Sequence, residues 1–408
     1  MPPRRPIAER IADTLDPLLR PQLTAGNRIE LLSAAQDYFP ALLQAIAQAR
    51  HSVSLETYIL ADDSTGHAVL DALAAAARRG VEVRVLLDGF GSGEFARRLA
   101  TSFPQCGGQL RIYRPERWWH PGRQLFRRLH RKIVVVDDRI AFVGGINVND
   151  NPERDELSGE IIGPRLDFAV RCEGPVVAAV SLATRRLWWA VGVVGWADVT
   201  EPPPRRGRAS APLAHGVLAA LVLRDNLRHR HGIERSYLAA LRSARSQILI
   251  ACAYFLPGQR MRRALVRAAR RGVRVTLLLQ GRMEYRLQHA AQRALYGQLL
   301  RDGIEIYEYR RSYLHAKVAV VDDDWATVGS SNIDPLSLLL AREANIVVRD
   351  RAFGQALRAQ IETAIRDDSR PLRPEDYARR SWYRRVVDWL AYGVMRAATV
   401  VVARVNKY

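Results

Sequence analysis

The sequence predicts an α/β protein built as two similar lobes, and three observations predict it. Apolar runs of strand length alternate with helical patterns. The alternation occurs twice in the same order along the chain. One pattern, His-x-Lys-x4-Asp, stands at the same place in each copy. With 408 residues, the chain has room for two ordinary domains or one large duplicated one. Hydrophobic content of 48% and charged content of 25% are globular values and argue against intrinsic disorder.

The first lobe is expected over residues 1–200. Its opening residues carry charge with no apolar stretch behind them, so a secretory signal is not expected. Runs at 53–59, 81–87 and 133–136 read as buried strands. A helical pattern over 67–79 ends at Gly80, which suits a C-terminal stop. The densest apolar run, 187–197, is shorter than the roughly 20 residues a membrane-spanning helix needs. Residues 201–213, opening Glu201-Pro202-Pro203-Pro204, form the expected linker. The second lobe follows over 214–370. Its strands are expected at 248–253, 273–279 and 318–321, and its helix over 260–271 is closed by Gly272. Residues 371–408 make a basic tail. The three cysteines, Cys106, Cys172 and Cys252, are odd in number and widely spaced, which fits a reducing compartment and neither a disulfide framework nor a zinc cluster.

Self-comparison aligns most of the chain. His130-Arg131-Lys132 with Asp137 matches His315-Ala316-Lys317 with Asp322. Each histidine is followed at the same spacing by a glycine (Gly144, Gly329) and an asparagine (Asn147, Asn332). Tyr58 falls opposite Tyr254, and an acidic residue, Asp167 or Glu343, opens a further apolar stretch after each motif. Lysine occurs only at positions 132, 317 and 407 among 62 basic residues, so the two motif lysines stand out against a chain otherwise converted to arginine. A compact ammonium is demanded there and a planar guanidinium is not.

Histidine and lysine two apart at the head of a strand point to one face. The aspartate follows in a turn sequence and is expected to fix that turn. Lysine and asparagine donors suit the nonbridging oxygens of a phosphate. One histidine can attack phosphorus and the other can protonate the leaving alkoxide, then deprotonate the incoming hydroxyl. A single motif holds half of this chemistry, so the site is expected where the halves meet. Asp167 and Glu343 are expected to orient the imidazoles. Neither a metal nor another cofactor is expected.

HRKIVVVD with GGIN and HAKVAVVD with GSSN resemble the doubled HKD signature of the phospholipase D superfamily. LETYIL at 55–60 and GSSNIDPLSLLLAREANIVV extend the resemblance to bacterial cardiolipin synthases of the shorter type, without N-terminal transmembrane helices. The resemblance implies a mixed sheet flanked by helices in each lobe, pseudo-twofold symmetry, and one active site at the interface. It implies transfer of a phosphatidyl group from one phosphatidylglycerol to another phospholipid alcohol through a phosphohistidine, with release of glycerol. Carried over, His130, Lys132, Asp137, His315, Lys317 and Asp322 form the catalytic set. Asn147, Asn332 and Ser330 fall among the substrate-binding candidates. Either histidine is open as nucleophile, and the resemblance favours His130. Ala341 departs from the pattern, which calls for a polar residue before Arg342-Glu343. A phospholipase D or a nuclease, with water as acceptor, is the alternative reading. A noncatalytic binding protein on the same fold is disfavoured by intact motifs in both halves.

A net charge of +20 calls for a polyanionic partner, either nucleic acid or an anionic membrane. The mixture of Trp118, Trp119 and His120 with arginines over 116–128 fits both, as do Trp188, Trp189 and Trp196. The tail decides for the membrane. On a helical wheel Leu390, Ala391, Val394, Ala397, Ala398, Val401, Val402 and Val405 share one face, with Asp388, Tyr392, Arg396, Thr399 and Arg404 opposite. Preceded by Arg379, Arg380, Arg384 and Arg385, this reads as an interfacial anchor, the competing expectation being a helix docked on its own domain. The expected location is peripheral, at the cytoplasmic face of the bacterial membrane. No obligate protein partner is expected, and nucleic acid is not.

Overall fold

Valine, isoleucine and leucine runs with no polar alternation need cover on both faces, and they form the inner strands of one mixed sheet. The computed structural model describes residues 21–114, 128–150, 153–154, 159–194, 204, 210–225, 229–334 and 341–405. In the first lobe the order is β1 (Thr24–Ser33), α1 (Ala34–Ala47), β2 (Ser52–Thr57), α2 (Ser64–Arg78), β3 (Glu82–Asp88), α3 (Gly93–Ser102), β4 (Gln109–Tyr113), β5 (Lys132–Val136), β6 (Ile140–Gly144), β7 (Phe168–Glu173) and α4 (Val176–Val194). A small antiparallel pair, Glu153–Arg154 with Ile161–Gly163, stands apart from the main sheet. The second lobe repeats the order: β8 (Val217–Arg224), α5 (Gly232–Ser243), β9 (Gln247–Cys252), α6 (Gln259–Arg270), β10 (Arg274–Gln280), α7 (Arg286–Arg301), β11 (Glu305–Tyr309), β12 (Lys317–Val321), β13 (Trp325–Gly329), β14 (Glu343–Arg349) and α8 (Arg351–Asp368). Strand β15 (Ser369–Pro371) and helices α9 (Pro374–Ala378) and α10 (Trp382–Val405) follow.

Among the described residues the strands run β15-β11-β10-β9-β12-β13-β14-β8-β1-β7-β6-β5-β2-β3-β4 across one sheet. Read outward from the middle, each half has the same order, so the duplication becomes a pseudo-twofold about the antiparallel β1·β8 pair. β2, β3 and β4 are parallel, as are β9, β10 and β11, and the strands nearer the centre are antiparallel. Sequence reading did not place β1 or β8. The β1 sequence mixes polar and apolar residues, because it joins two lobes and does not line one core.

Asn27 holds that join. Its amide donates to Thr24 O at 2.6 Å and Val217 O at 3.1 Å, and its oxygen accepts from Val176 N at 2.7 Å. The backbones approach closely here: a Cβ on Gly216 would lie 2.4 Å from the carbonyl carbon of Gly26. Beneath the join a single core draws Val177 and Val180 from α4 and Phe353, Leu357 and Ile361 from α8. On the opposite face each lobe has its own core, with Leu42, Ile46 and Leu73 in the first and Leu241, Leu265 and Leu299 in the second.

The 19-residue helix α4 is long and apolar enough to cross a membrane, so length alone does not exclude it as the sequence reading held. Its apolarity has another cause. Most of it is buried against the sheet, with Trp188 and Trp189 inside and the Arg111 guanidinium stacked 4.2 Å from the Trp188 ring. Those two tryptophans are core residues and not part of a membrane surface. Trp118, Trp119, His120 and Trp196, and linker residues 201–203 and 205–209, lie outside the described residues.

Between His130 and Lys132 the chain turns Arg131 to the other face of the sheet, where it pairs with Glu56 of β2. Its guanidinium also donates to Ala183 O at 3.1 Å, and both side chains are almost wholly buried. Arg131→Met strands a buried carboxylate and is expected to cost about 3–5 kcal/mol. Calorimetric unfolding checks this, and an unchanged Tm would contradict it.

Candidate active site

Strands β5 and β12 each begin at the motif lysine, and each histidine lies two residues upstream on the same side. The backbone then crosses between lobes. His130 N donates to Arg342 O at 3.0 Å, and His315 N donates to Leu166 O at 2.8 Å. These bonds seat each motif beside the acidic residue of the opposite lobe. Glu343 at the head of β14 meets His130, its two oxygens 3.0 and 3.1 Å from Nδ1. Asp167, just before β7, meets His315 Nδ1 at 2.5 Å. An ionised carboxylate only accepts, so Nδ1 carries the proton in each ring and Nε2 is left bare. Both histidines line one cavity of about 250 Å³, with Asn147, Arg165, Asp167, Tyr254 and Glu284 in its wall.

The lysines lie beneath their histidines. Lys132 Nζ donates to His130 O at 2.8 Å, and Lys317 Nζ donates to His315 O. Both are buried beside the paired histidines. Burial lowers Lys132 to about 7, with Lys317 adding to the shift and Glu343 opposing it; burial lowers Lys317 too, with Asp167 foremost in opposing it and Arg165 adding to it. Burial also holds both imidazoles below their usual value. For His315 the charges of Lys317, Arg165 and Lys132 deepen the effect. Burial pushes Asp167 up to about 6, against the pull of Lys317. The site is thus short of negative charge, and a phosphodiester supplies it.

Asn147 and Asn332 each bury an amide oxygen that has no protein partner. Tyr58 packs edge-on to His130 at 5.0 Å, and Lys132 Nζ lies 5.3 Å from the Tyr58 ring centre. Asp88 and Gln280 occupy equivalent places at the ends of β3 and β10. They accept from the backbone just before each motif, Leu129 N at 2.7 Å and Leu314 N at 3.0 Å.

The motif aspartates fix turns as the residues predict, and so leave the catalytic set that the resemblance implied; Ser330 leaves the substrate contacts. Asp137 and Asp322 stand at the far ends of β5 and β12, away from the cavity. Asp137 accepts from the backbone of Arg50, His51 and Ser52, and Asp322 from Arg245, Ser246 and Gln247. With the residue after each, they form left-handed turns (φ 51–56°), so they anchor the hairpins and touch no reacting atom. Ser330 is fully buried and donates to Glu343 Oε2 at 2.5 Å, which makes it a support for the acid and not a substrate contact. Its counterpart Gly145 has no room for a side chain, because a Cβ would lie 2.3 Å from Asp167 Oδ1. The polar side chain missing at Ala341 has a neighbour in Arg224, which donates to the Ala341 carbonyl. Sequence reasoning did not single out Arg165 or Glu284. Neither has a counterpart in the other repeat, so self-comparison is blind to them.

A family described as cardiolipin synthase, PLD-like domain, matches residues 42–161 and 237–365. The chain belongs to that family. Cardiolipin synthase B of Salmonella typhimurium is 41% identical over 384 residues, covering 91% of this chain and 88% of that protein. Cardiolipin synthase B of Escherichia coli K12 is 39% identical over 381 residues, with the same coverage of 91% and 88%. Cardiolipin synthase A of Pseudomonas putida is 32% identical over 353 residues, 86% of this chain and 70% of that one. Among solved structures, phosphatidylserine synthase of Haemophilus influenzae superposes with a TM-score of 0.68 at 15% identity, over 97% of this chain and 99% of that one. Polyphosphate kinase of Porphyromonas gingivalis gives 0.56 at 15% identity, over 85% and 49%. At such identities the structures show the shared fold. The family's duplicated phospholipase D-like unit accounts for the pseudo-twofold sheet and the double motif.

The shifted lysines generate a prediction. At pH 8 Lys132 is largely neutral, and an oxyanion that binds its ammonium form draws in a proton. Titration calorimetry with tungstate in buffers of different ionisation enthalpy is expected to show uptake approaching one proton at pH 8 and less at pH 6. Heats independent of buffer at pH 8 would contradict it.

Proposed function

We propose that this phospholipase D-like enzyme is a cardiolipin synthase, a phosphatidyltransferase that moves a phosphatidyl group from one phosphatidylglycerol to the hydroxyl of a second phospholipid alcohol. The observation that carries the reading is the pair of bare imidazole nitrogens in one cavity, each backed by an acid from the other lobe. One Nε2 attacks phosphorus, forming a P–N bond as the P–O bond to glycerol breaks. The other imidazole takes up a proton at Nε2 as the anionic phosphodiester binds, and gives it to the departing glycerol oxygen. It then takes the proton from the acceptor hydroxyl, whose oxygen forms the new P–O bond as the phosphohistidine is released. Lys132 and Lys317 hold the nonbridging oxygens where charge gathers in both transition states. Glu343 and Asp167 stabilise the imidazolium forms.

The substrates lie in a membrane, and the C-terminal helix suits contact with one. α10 packs along α7 through Ala391, Tyr392 and Met395, with Asp388 buried against Arg380 at 2.7 Å. The docked side takes Asp388 and Tyr392 from the expected polar face and Ala391 from the expected apolar one. The apolar stripe turns outward: Val387 is 55% exposed, Leu390 65% and Val394 55%, with Trp382 and Trp389 exposed beside them. A docked helix that shows apolar residues to solvent, flanked by Arg379, Arg384 and Arg385, fits an anionic bilayer surface. Each basic residue near such a surface contributes about 1 kcal/mol. The enzyme is accordingly read as peripheral, at the cytoplasmic face of the bacterial membrane.

Purified protein given phosphatidylglycerol vesicles is expected to yield cardiolipin and glycerol by lipid chromatography. Phosphatidic acid as sole product would favour the hydrolase. His130→Ala and His315→Ala are each expected to lower transfer at least about a thousandfold, and full turnover in either would reject the shared site. Leu390→Asp combined with Val394→Asp is expected to reduce co-sedimentation with phosphatidylglycerol vesicles while the melting curve holds. Undiminished sedimentation would remove the helix as anchor.

A further inference from the structure

The cavity is built from two copies of one unit, yet its wall is not symmetric. Glu284, in the loop between β10 and α7, is buried and pairs with Arg165 at 3.0 Å. It also accepts from the Tyr254 hydroxyl at 2.5 Å. Tyr254 has a counterpart in Tyr58, but the other two residues have none. The equivalent loop after β3 is Gly89-Phe90-Gly91-Ser92 and holds no acid. The residue equivalent to Arg165, one before the pair that meets the opposite motif, is Ala341. Both members of the ion pair therefore occur on the His315 side alone, where Leu166 bridges to Leu314.

Two symmetric half-sites can grip a phosphodiester, but they cannot tell a departing or incoming alcohol from the phosphatidyl group. That discrimination needs an asymmetric feature, and here it is a carboxylate beside a guanidinium. A carboxylate has about four acceptor positions, of which Arg165 and Tyr254 use two. Those remaining can accept from hydroxyl groups of an alcohol whose neighbouring hydroxyl is reacting. The guanidinium beside them suits an anionic group borne by the same molecule.

We propose that Glu284 and Arg165 form the subsite for the alcohol, with Glu284 accepting from the nonreacting hydroxyl of a vicinal diol and Arg165 holding the acceptor lipid's own phosphate. This inference rests on the transfer reaction proposed above and deepens it. No atom is exchanged at the subsite. The residues position the diol so that its terminal oxygen meets phosphorus, and they select polyols over simple alcohols and water. Glu284 is a positioning and specificity residue, and the proton still moves through the imidazole.

The test uses the full chain, phosphatidylglycerol vesicles as donor, and a mixture of propane-1,2-diol and 1-propanol as competing acceptors. The readout is the ratio of the two phosphatidyl products, which cancels any general loss of rate. The wild type is expected to favour the diol by at least about tenfold, the worth of a hydrogen bond to a charged group. Glu284→Ala is expected to bring the ratio close to one, and Glu284→Gln, which keeps an acceptor oxygen, to restore part of it. Arg165→Gln is expected to lower cardiolipin formation relative to transfer onto propane-1,2-diol, which bears no phosphate. A wild type without preference for the diol would overturn the subsite. So would a Glu284→Ala enzyme in which both products fall in parallel, the mark of a purely structural role. Should the alanine variant fail to fold, the wild-type ratio and the glutamine variant still decide. If the wild type makes no cardiolipin at all, it is the transferase reading that fails, whatever the ratio for the short alcohols.

Discussion

Everything in this enzyme depends on two imidazole–carboxylate contacts that cross between lobes, His130 with Glu343 and His315 with Asp167. Each sets a tautomer, and so leaves one nitrogen bare for chemistry. Because each acid comes from the other half, neither lobe alone has a functional histidine. The continuous sheet through β1 and β8 follows from the same need. Hydrogen-bond geometry is lost within a few tenths of an ångström, and a flexible hinge between lobes would not hold it. Asn27, the glycine contacts and the shared core beneath the join supply the required rigidity.

The electrostatics of the site are those of a receptor for an anion. Two ammonium groups are buried, Lys317 helps to lower Lys132, and the carboxylates nearby are already committed to imidazoles. The two halves do not share the load equally. Behind Glu343 stand Arg224 and Arg342, whereas the equivalent positions behind Asp167 are Ala34 and Leu166. Glu343 also has the Ser330 hydroxyl, for which the Asp167 half offers only Gly145. Asp167 is the acid that burial raises toward neutrality. Duplication supplied the catalytic pair, and later divergence made its two members different.

The docked tail helix follows a related logic. A helix with an apolar face would ordinarily turn that face inward. Here the buried contact is made by Asp388 with Arg380 and by Ala391, Tyr392 and Met395, and Val387, Leu390 and Val394 remain outside. Helical periodicity identified the stripe. It could not say which side the protein would take, because a wheel counts hydrophobicity and ignores ion pairs formed with residues off the helix. Arg380 lies ahead of α10, and it is this residue that makes the Asp388 side the one to bury.

Much of the architecture was legible because duplication doubles every signal. The repeated motif, the surviving lysines and the acids opening β7 and β14 all stood in register along the chain. Periodicity found β2, β3 and β5 and their counterparts β9, β10 and β12, since a strand covered on both faces must be apolar throughout, but not the inner strands β6 and β13. It also missed β1, whose mixed composition reflects a join between lobes, and β8, although that strand is apolar almost throughout. Self-comparison had nothing to match for Arg165 and Glu284, and it gave Ser330 a substrate contact that belongs to Glu343. What the chain determined by itself was the candidate histidines, lysines and acids of the site, because chemistry restricts residue type and spacing. Which acid serves which histidine, and which wall of the cavity is unlike the other, were decided by tertiary structure, since both follow from distances between residues far apart in sequence.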